Sequence, residues 1–275
     1  MIYDLQKASL FKRFSAFLFD AIMLVTVAVA LSIGVSAILG YSNYTDAYQE
    51  LKTEYSDKYG ITFDITAEEL EALGEDEMAK YNAANEEWTK DPRVVFVYTM
   101  MTNLSLAIVS LSLFVAFLGL EFVVPLLFGN GQTLGKKVFG VGVMMINGTK
   151  IKPVALFIRS ILAKYAVETM IPVFIMLTFV FGTASIFGVV TLAAILIVEV
   201  AMLIATKTNS ALHDGLSSTV TVDFASQLIF EDDAALMEYK KKLAQDKAAS
   251  EDYYSGSFTS SFGRKDTTET EDGQG

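Results

Sequence analysis

Cysteine is absent from this chain of 275 residues, and histidine occurs once, at His213. The first absence excludes disulfides, thiolate nucleophiles and thiolate-bound metals, and it leaves the redox compartment unread. The second excludes a metal site built from several histidines of one subunit. Signatures of nucleotide chemistry and hydrolysis are missing as well. Gly129–Lys137 superficially resembles a phosphate loop, but Asn130 stands where the first glycine belongs and Lys137 where Ser or Thr is required. No glycine-rich dinucleotide fingerprint follows a strand, and neither HExxH nor GxSxG occurs. His213 and Asp214 are adjacent, yet no serine can be tied to them. No enzyme, cofactor or metal centre is therefore expected. A short apolar region closed by small residues is also lacking, so the first apolar run reads as a retained membrane anchor rather than a cleaved signal.

What the chain does contain is apolar sequence. It is 52% hydrophobic with a mean hydropathy of +0.42, too apolar for an ordinary soluble domain. About 20 apolar residues cross a bilayer. Four stretches qualify, roughly 14–39, 104–128, 165–181 and 186–205, and only 182–185 separates the last two. The expected fold is an all-α polytopic membrane protein with four transmembrane helices, a helical outer cap and a short cytoplasmic β-hairpin.

The formal charge of −11 is unevenly spread. Lys7, Lys12 and Arg13 precede the first span. Segment 129–164 carries Lys136, Lys137, Lys150, Lys152, Arg159 and Lys164 and no acidic residue. Segment 41–93 carries five basic residues against fourteen acidic ones. Basic residues in short loops stay on the cytoplasmic side. Both termini and 129–164 are thus expected in the cytoplasm and 41–93 outside, in a bacterial plasma membrane. The expected partners are the bilayer, a small cation or proton, and a second copy or another membrane protein; nucleic acid is not among them.

Outside the spans, Tyr41, Tyr44, Tyr48, Leu51, Tyr55 and Tyr59 recur at helical spacing, a stripe read as core packing, and Gly60 is a stop. Thr66 with Glu69 fits a capping box, and Asp91-Pro92 an N-cap and first turn opening the second span. Together 41–93 reads as an acidic helical insertion. In 129–164, the β-formers of 138–146 before Asn147-Gly148 predict a hairpin, and 154–164 an amphipathic helix on the inner leaflet. Residues 224–248 read as a cytoplasmic helix and 249–275 as a disordered tail.

Ionisable residues within the spans are expensive in hydrocarbon and carry the strongest functional signal. Arg13 and Asp20 are seven residues apart, two turns on one helix face. Counted from the span ends, Asp20, Glu121 and Glu199 all lie about 10 Å inside the cytoplasmic boundary, with Glu168 shallower. Arg13, Arg159 and Lys164 lie near that boundary. Two readings stand. Asp20, Glu121 and Glu199 line a polar cavity for a cation or proton, or each is paired with Arg13, Arg159 or a backbone group and only fixes the packing.

Several motifs resemble those of RDD family membrane proteins. Lys12-Arg13-Phe14-Ser15-Ala16-Phe17-Leu18-Phe19-Asp20 is similar to the opening motif, with Arg13 as its arginine and Asp20 as its first aspartate. Gly131–Val141 resembles the central segment, followed in order by Asn147-Gly148, Pro153 and Arg159-Ser160. Leu212-His213-Asp214 resembles the final motif, so Asp214 matches the second aspartate and joins Arg13 and Arg159 as a charge partner. Ser217–Val220 is also similar. Gly142 stands where family members often carry arginine. The resemblance implies a transmembrane domain over 1–223, with 41–93 inserted, and a polytopic protein suspected of transport. The two functional expectations are transport or exchange of a small cation or proton through the carboxylates, and a non-transporting scaffold or accessory subunit that binds partners through its cap and tail.

Overall fold

The computed structural model describes residues 5–180, 182–206 and 208–262, with side chains as far as 250. Among these, four helices are long and apolar enough to cross a membrane. Helix α1 (Leu10–Ile38) starts at Ser9, whose hydroxyl accepts from the Lys12 N–H at 3.2 Å. At about 1.5 Å per residue it is long enough for a bilayer. Gly40, at φ 64°, ends it in the left-handed conformation and starts a small cap. The cap is α2 (Tyr41–Tyr59), α3 (Ala67–Glu71) and α4 (Glu75–Lys90). Thr66 and Glu69 exchange hydrogen bonds at α3, a reciprocal capping box.

Helix α5 (Pro92–Phe128) begins where Asp91 accepts from the Arg93 N–H at 2.7 Å. It therefore starts well before residue 104, because the polar run around Thr102 and Asn103 dilutes hydropathy without breaking the helix. The tyrosine stripe of α2 packs against the start of α5. Leu51, Val94 and Val97 are buried there, with Tyr44, Tyr48 and Trp88 around them. Trp88 meets the edges of Tyr48 and Tyr55, with ring centroids 5.5 and 5.3 Å apart.

After α5 come α6 (Leu134–Val138), β1 (Val141–Met145), α7 (Pro153–Val180), α8 (Ile186–Ala205), α9 (Leu212–Leu216), β2 (Thr219–Asp223) and α10 (Asp233–Phe262). Residues 154–164, expected as an amphipathic helix leading into the third span, are continuous with that span as the first turns of α7. Two stretches are π-helical, Leu118–Val123 in α5 and Ile158–Met170 in α7. The bundle is built on α1 against α5, α5 against α7 and α7 against α8. Outward faces remain apolar, as at Val25, Ile33, Leu196 and Ile204.

The end opposite the cap carries a β layer. The Asn147-Gly148 turn forms, with the Met145 N–H donating to Thr149 O at 2.9 Å. The return segment after the turn keeps one antiparallel bridge to β1, Met144↔Lys150, and the full ladder of β1 is with β2, antiparallel from Val141↔Asp223 to Met145↔Thr219. Pro153 leaves only a short return segment, whereas 219–223 alternates valine and threonine over a full strand. Met144, Val220 and Val222 are fully buried, with Leu5 and Ile229 packed on them. The Asp223 N–H donates to Gln6 O and the Lys150 N–H to Phe230 O, so the layer gathers segments from before the first span, between the second and third, and after the fourth. Gly142 belongs to this packing: a Cβ there would lie 2.9 Å from the Phe224 ring. An arginine at 142 would need Phe224 to move.

The final helix corrects two boundaries. It starts at Asp233 rather than 224, because 224–232 is held against the β layer. It runs to Phe262, so 249–262 is helical; no proline interrupts that stretch. The remainder of the tail expectation, 263–275, lies outside the described residues.

Candidate functional site

The ionisable residues of the bundle gather at its β-layer end in four adjacent groups. The first holds α6 on α1. The Thr133 hydroxyl donates to Asp20 Oδ2, and the Gly135 N–H donates to Asp20 Oδ1 at 2.7 Å. Gly135 is required for this approach, since a Cβ would fall 2.4 Å from Ala16 O. Asp20 thus serves as the anchor for α6.

The second group is a dry charge triad. Asp214 is fully buried, and Arg159 is 3% exposed. Arg159 donates to Asp214 Oδ1 and, at 2.6 Å, to the Thr219 hydroxyl. The Thr221 hydroxyl donates to Asp214 Oδ2 at 3.3 Å, and Arg13 Nη2 lies 3.5 Å from the same oxygen. Arg13 also donates from Nη1 to Asn209 O at 2.7 Å. Burial pushes the Asp214 carboxyl up. The Arg159 charge, with Arg13 behind it, outweighs burial and holds the carboxyl well below the usual carboxylate range.

The third group pairs Glu121 with Lys164 at 2.7 Å. Both residues sit in the π-helical turns, whose extra residue per turn rotates the following side chains relative to a regular helix. Lys136 lies within electrostatic reach of this pair and of Asp20. Its ammonium makes no hydrogen bond or ion pair among the described residues. Burial, then the Lys164 charge, pushes it down to about 8.

The fourth group joins α7, α8 and α9. The His213 N–H donates to Glu168 Oε1 at 2.8 Å, and His213 Nδ1 lies 3.0 and 2.9 Å from the two Glu168 oxygens. The Leu212 N–H donates to Glu199 Oε2 at 3.3 Å. Glu199 Oε1 is shielded from solvent and has no partner among the described residues. Burial and the nearby Arg159 charge hold the His213 ring well below its ordinary value, so the ring is neutral.

Of the residues singled out in the sequence, the structure brings Arg13, Arg159 and Asp214 together. It does not unite Asp20, Glu121 and Glu199, each of which has its own partners. Arg13 shares a helix with Asp20 but faces Asp214. Sequence reasoning missed Lys136 as the cation between groups, and Glu168 with His213 as neighbours of Glu199. The i, i+4 spacing of Lys164 and Glu168 was an available signal, since it puts both on one face of α7.

Apolar helices facing outward, with charges paired inward at one end, define a polytopic integral membrane protein. The chain belongs to the RDD family, whose model matches residues 7–218. Comparison with curated proteins and with solved structures gave no match. The matched region contains every ionisable residue of the four groups, while Thr219 and Thr221 lie just beyond it.

Proposed function

We propose that this protein binds a small cation or proton at the β-layer end of its bundle and moves or exchanges it across the membrane, without enzymatic chemistry. The observation that carries this reading is the facing pair Glu168 and Glu199, one of whose oxygens, Glu199 Oε1, is buried and unpartnered. Asp20 and Glu121 are already satisfied by Thr133, Gly135 and Lys164, which suits them to holding the scaffold around such a site. The distribution of lysine and arginine supports a cytoplasmic β-layer end and an external acidic cap, in a bacterial plasma membrane. Four helices make a thin bundle, and a pathway between copies of the chain fits that size.

The test is reconstitution of the purified protein into liposomes under imposed gradients of H⁺, Na⁺, K⁺ or a divalent cation. Flux is expected for one of them, and Glu199→Gln should abolish it. Folded protein that moves none of these ions would overturn the reading.

A second reading, a scaffold or accessory subunit, is supported by α10, whose Met237, Tyr239 and Leu243 are exposed. Under it, deletion of 233–275 and of 41–93 removes partners that co-purify with the intact chain. An unchanged set of partners would exclude it.

A further inference from the structure

Glu168, Glu199 and His213 come from three different elements, yet each offers one ligand atom within 4.8 Å of the other two. Glu199 Oε1 is shielded from solvent and has no hydrogen bond among the described residues, a costly state for a carboxylate oxygen unless a ligand occupies it. The nearby Lys164 ammonium is already bound to Glu121. Among the described residues, the two carboxylates side by side therefore have no dedicated counter-cation.

We infer that this triad is a binding site for a divalent transition-metal ion, with Glu168, Glu199 and the His213 ring as protein ligands. It rests on the proposed function for the part this ion plays as cargo, and names the class of cation. An imidazole nitrogen is a ligand for zinc, manganese or iron, whereas alkali and alkaline-earth ions take oxygen alone. His213 Nδ1 stands 2.9 Å from Glu168 Oε2. Two donors about 2.1 Å from a common ion, at right angles, are separated by about 3 Å. Two carboxylates match the charge of a divalent ion. The Leu212 N–H donates to Glu199 Oε2 and the His213 N–H to Glu168 Oε1, leaving Glu199 Oε1 and Glu168 Oε2 as the oxygens for an ion, with outer hydrogen bonds of the kind found around bound metals. The single histidine excludes a site of several histidines, and a mixed site of one histidine and two carboxylates is compatible with it.

Because His213 is the only histidine, the intact chain labelled with ¹⁵N-histidine and held in detergent micelles carries one reporter. Zn²⁺ should shift the His213 ring nitrogens and saturate at one ion per chain. Glu199→Gln should weaken that binding by more than the about 10–100-fold that loss of an outer hydrogen-bond partner costs. Ring resonances that stay unmoved at saturating Zn²⁺ would overturn the inference. Should Glu199→Gln fail to fold, Co²⁺ added to the unaltered protein decides the matter: an intensified visible absorption supports the site, and the spectrum of aqueous Co²⁺ overturns it. Flux of Na⁺, K⁺ or H⁺ with no ring shift overturns this inference and leaves the proposed function standing. A ring shift without flux of any cation sustains the metal site and removes transport.

Discussion

The cap and the β-layer end of the bundle both rely on ion pairs, in opposite surroundings. In the cap, Lys90–Glu86 is 70% exposed on both sides, and Arg93–Glu54 is 56% and 52% exposed. At the other end, Arg159 and Asp214 are 3% and 0% exposed. Water screens the first kind, and aromatic packing around Trp88 supplies the cap's cohesion. The second kind has no water to fall back on, so each charge depends on its partner. The same residue types are interchangeable decoration in one region and a structural requirement in the other.

The contrast is broken most severely at Asp214. Asp214→Ala leaves Arg13 and Arg159 facing each other without a counter-charge. A loss of about 3–5 kcal/mol, or failure to fold, is expected in a thermal melt in detergent. Gly135→Ala comes next. Its methyl would collide with the Ala16 carbonyl and lift α6 from Asp20, a loss of about 1–3 kcal/mol by the same measurement. A smaller effect is expected in the cap under acid. The Asp91 carboxyl is held down to about 2, first by hydrogen bonds from the Arg93 side chain and backbone N–H. A carboxyl lowered on folding from 3.8 stabilises the cap above that pH, and the stabilisation fades as pH falls towards 2. Trp88 fluorescence should report loosening over that window, and Asp91→Asn should remove the dependence while weakening the cap at neutral pH. Glu86→Ala should leave the melting temperature unchanged within error, which sets the floor of the comparison.

Hydropathy suffices to find the four membrane helices, because a bilayer demands long apolar runs and little else. Local cap chemistry is equally legible: Thr66 with Glu69 and Asp91 with Pro92 act through neighbours in sequence. The β layer is not legible in this way. Nothing near Val141 says that its partner is Asp223, since pairing at that separation is settled by tertiary packing. Depth along a helix could also be counted, and Asp20, Glu121 and Glu199 were grouped on that basis. Depth does not fix direction around the axis. The π-helical turns at Glu121 and through Ile158–Met170 alter the phase on which a helical wheel depends. Helix packing decides the rest: α7 lies against both α5 and α8, which brings Lys164 to Glu121 and Glu168 to Glu199, whereas Asp20 is carried by α1 against α5.

The carboxylate of Asp214 has a place in time as well as in space. Arg13 and Arg159 are made before it, and β2, whose Thr219 and Thr221 hydroxyls donate to the same carboxylate, comes after it. At about 5–20 residues per second, roughly 3 to 13 s pass between synthesis of Arg159 and completion of β2. Until Asp214 is made within that interval, both arginines lack the partner that neutralises them. The first helices can enter the membrane in order, but the bundle closes only when its final strand has been delivered.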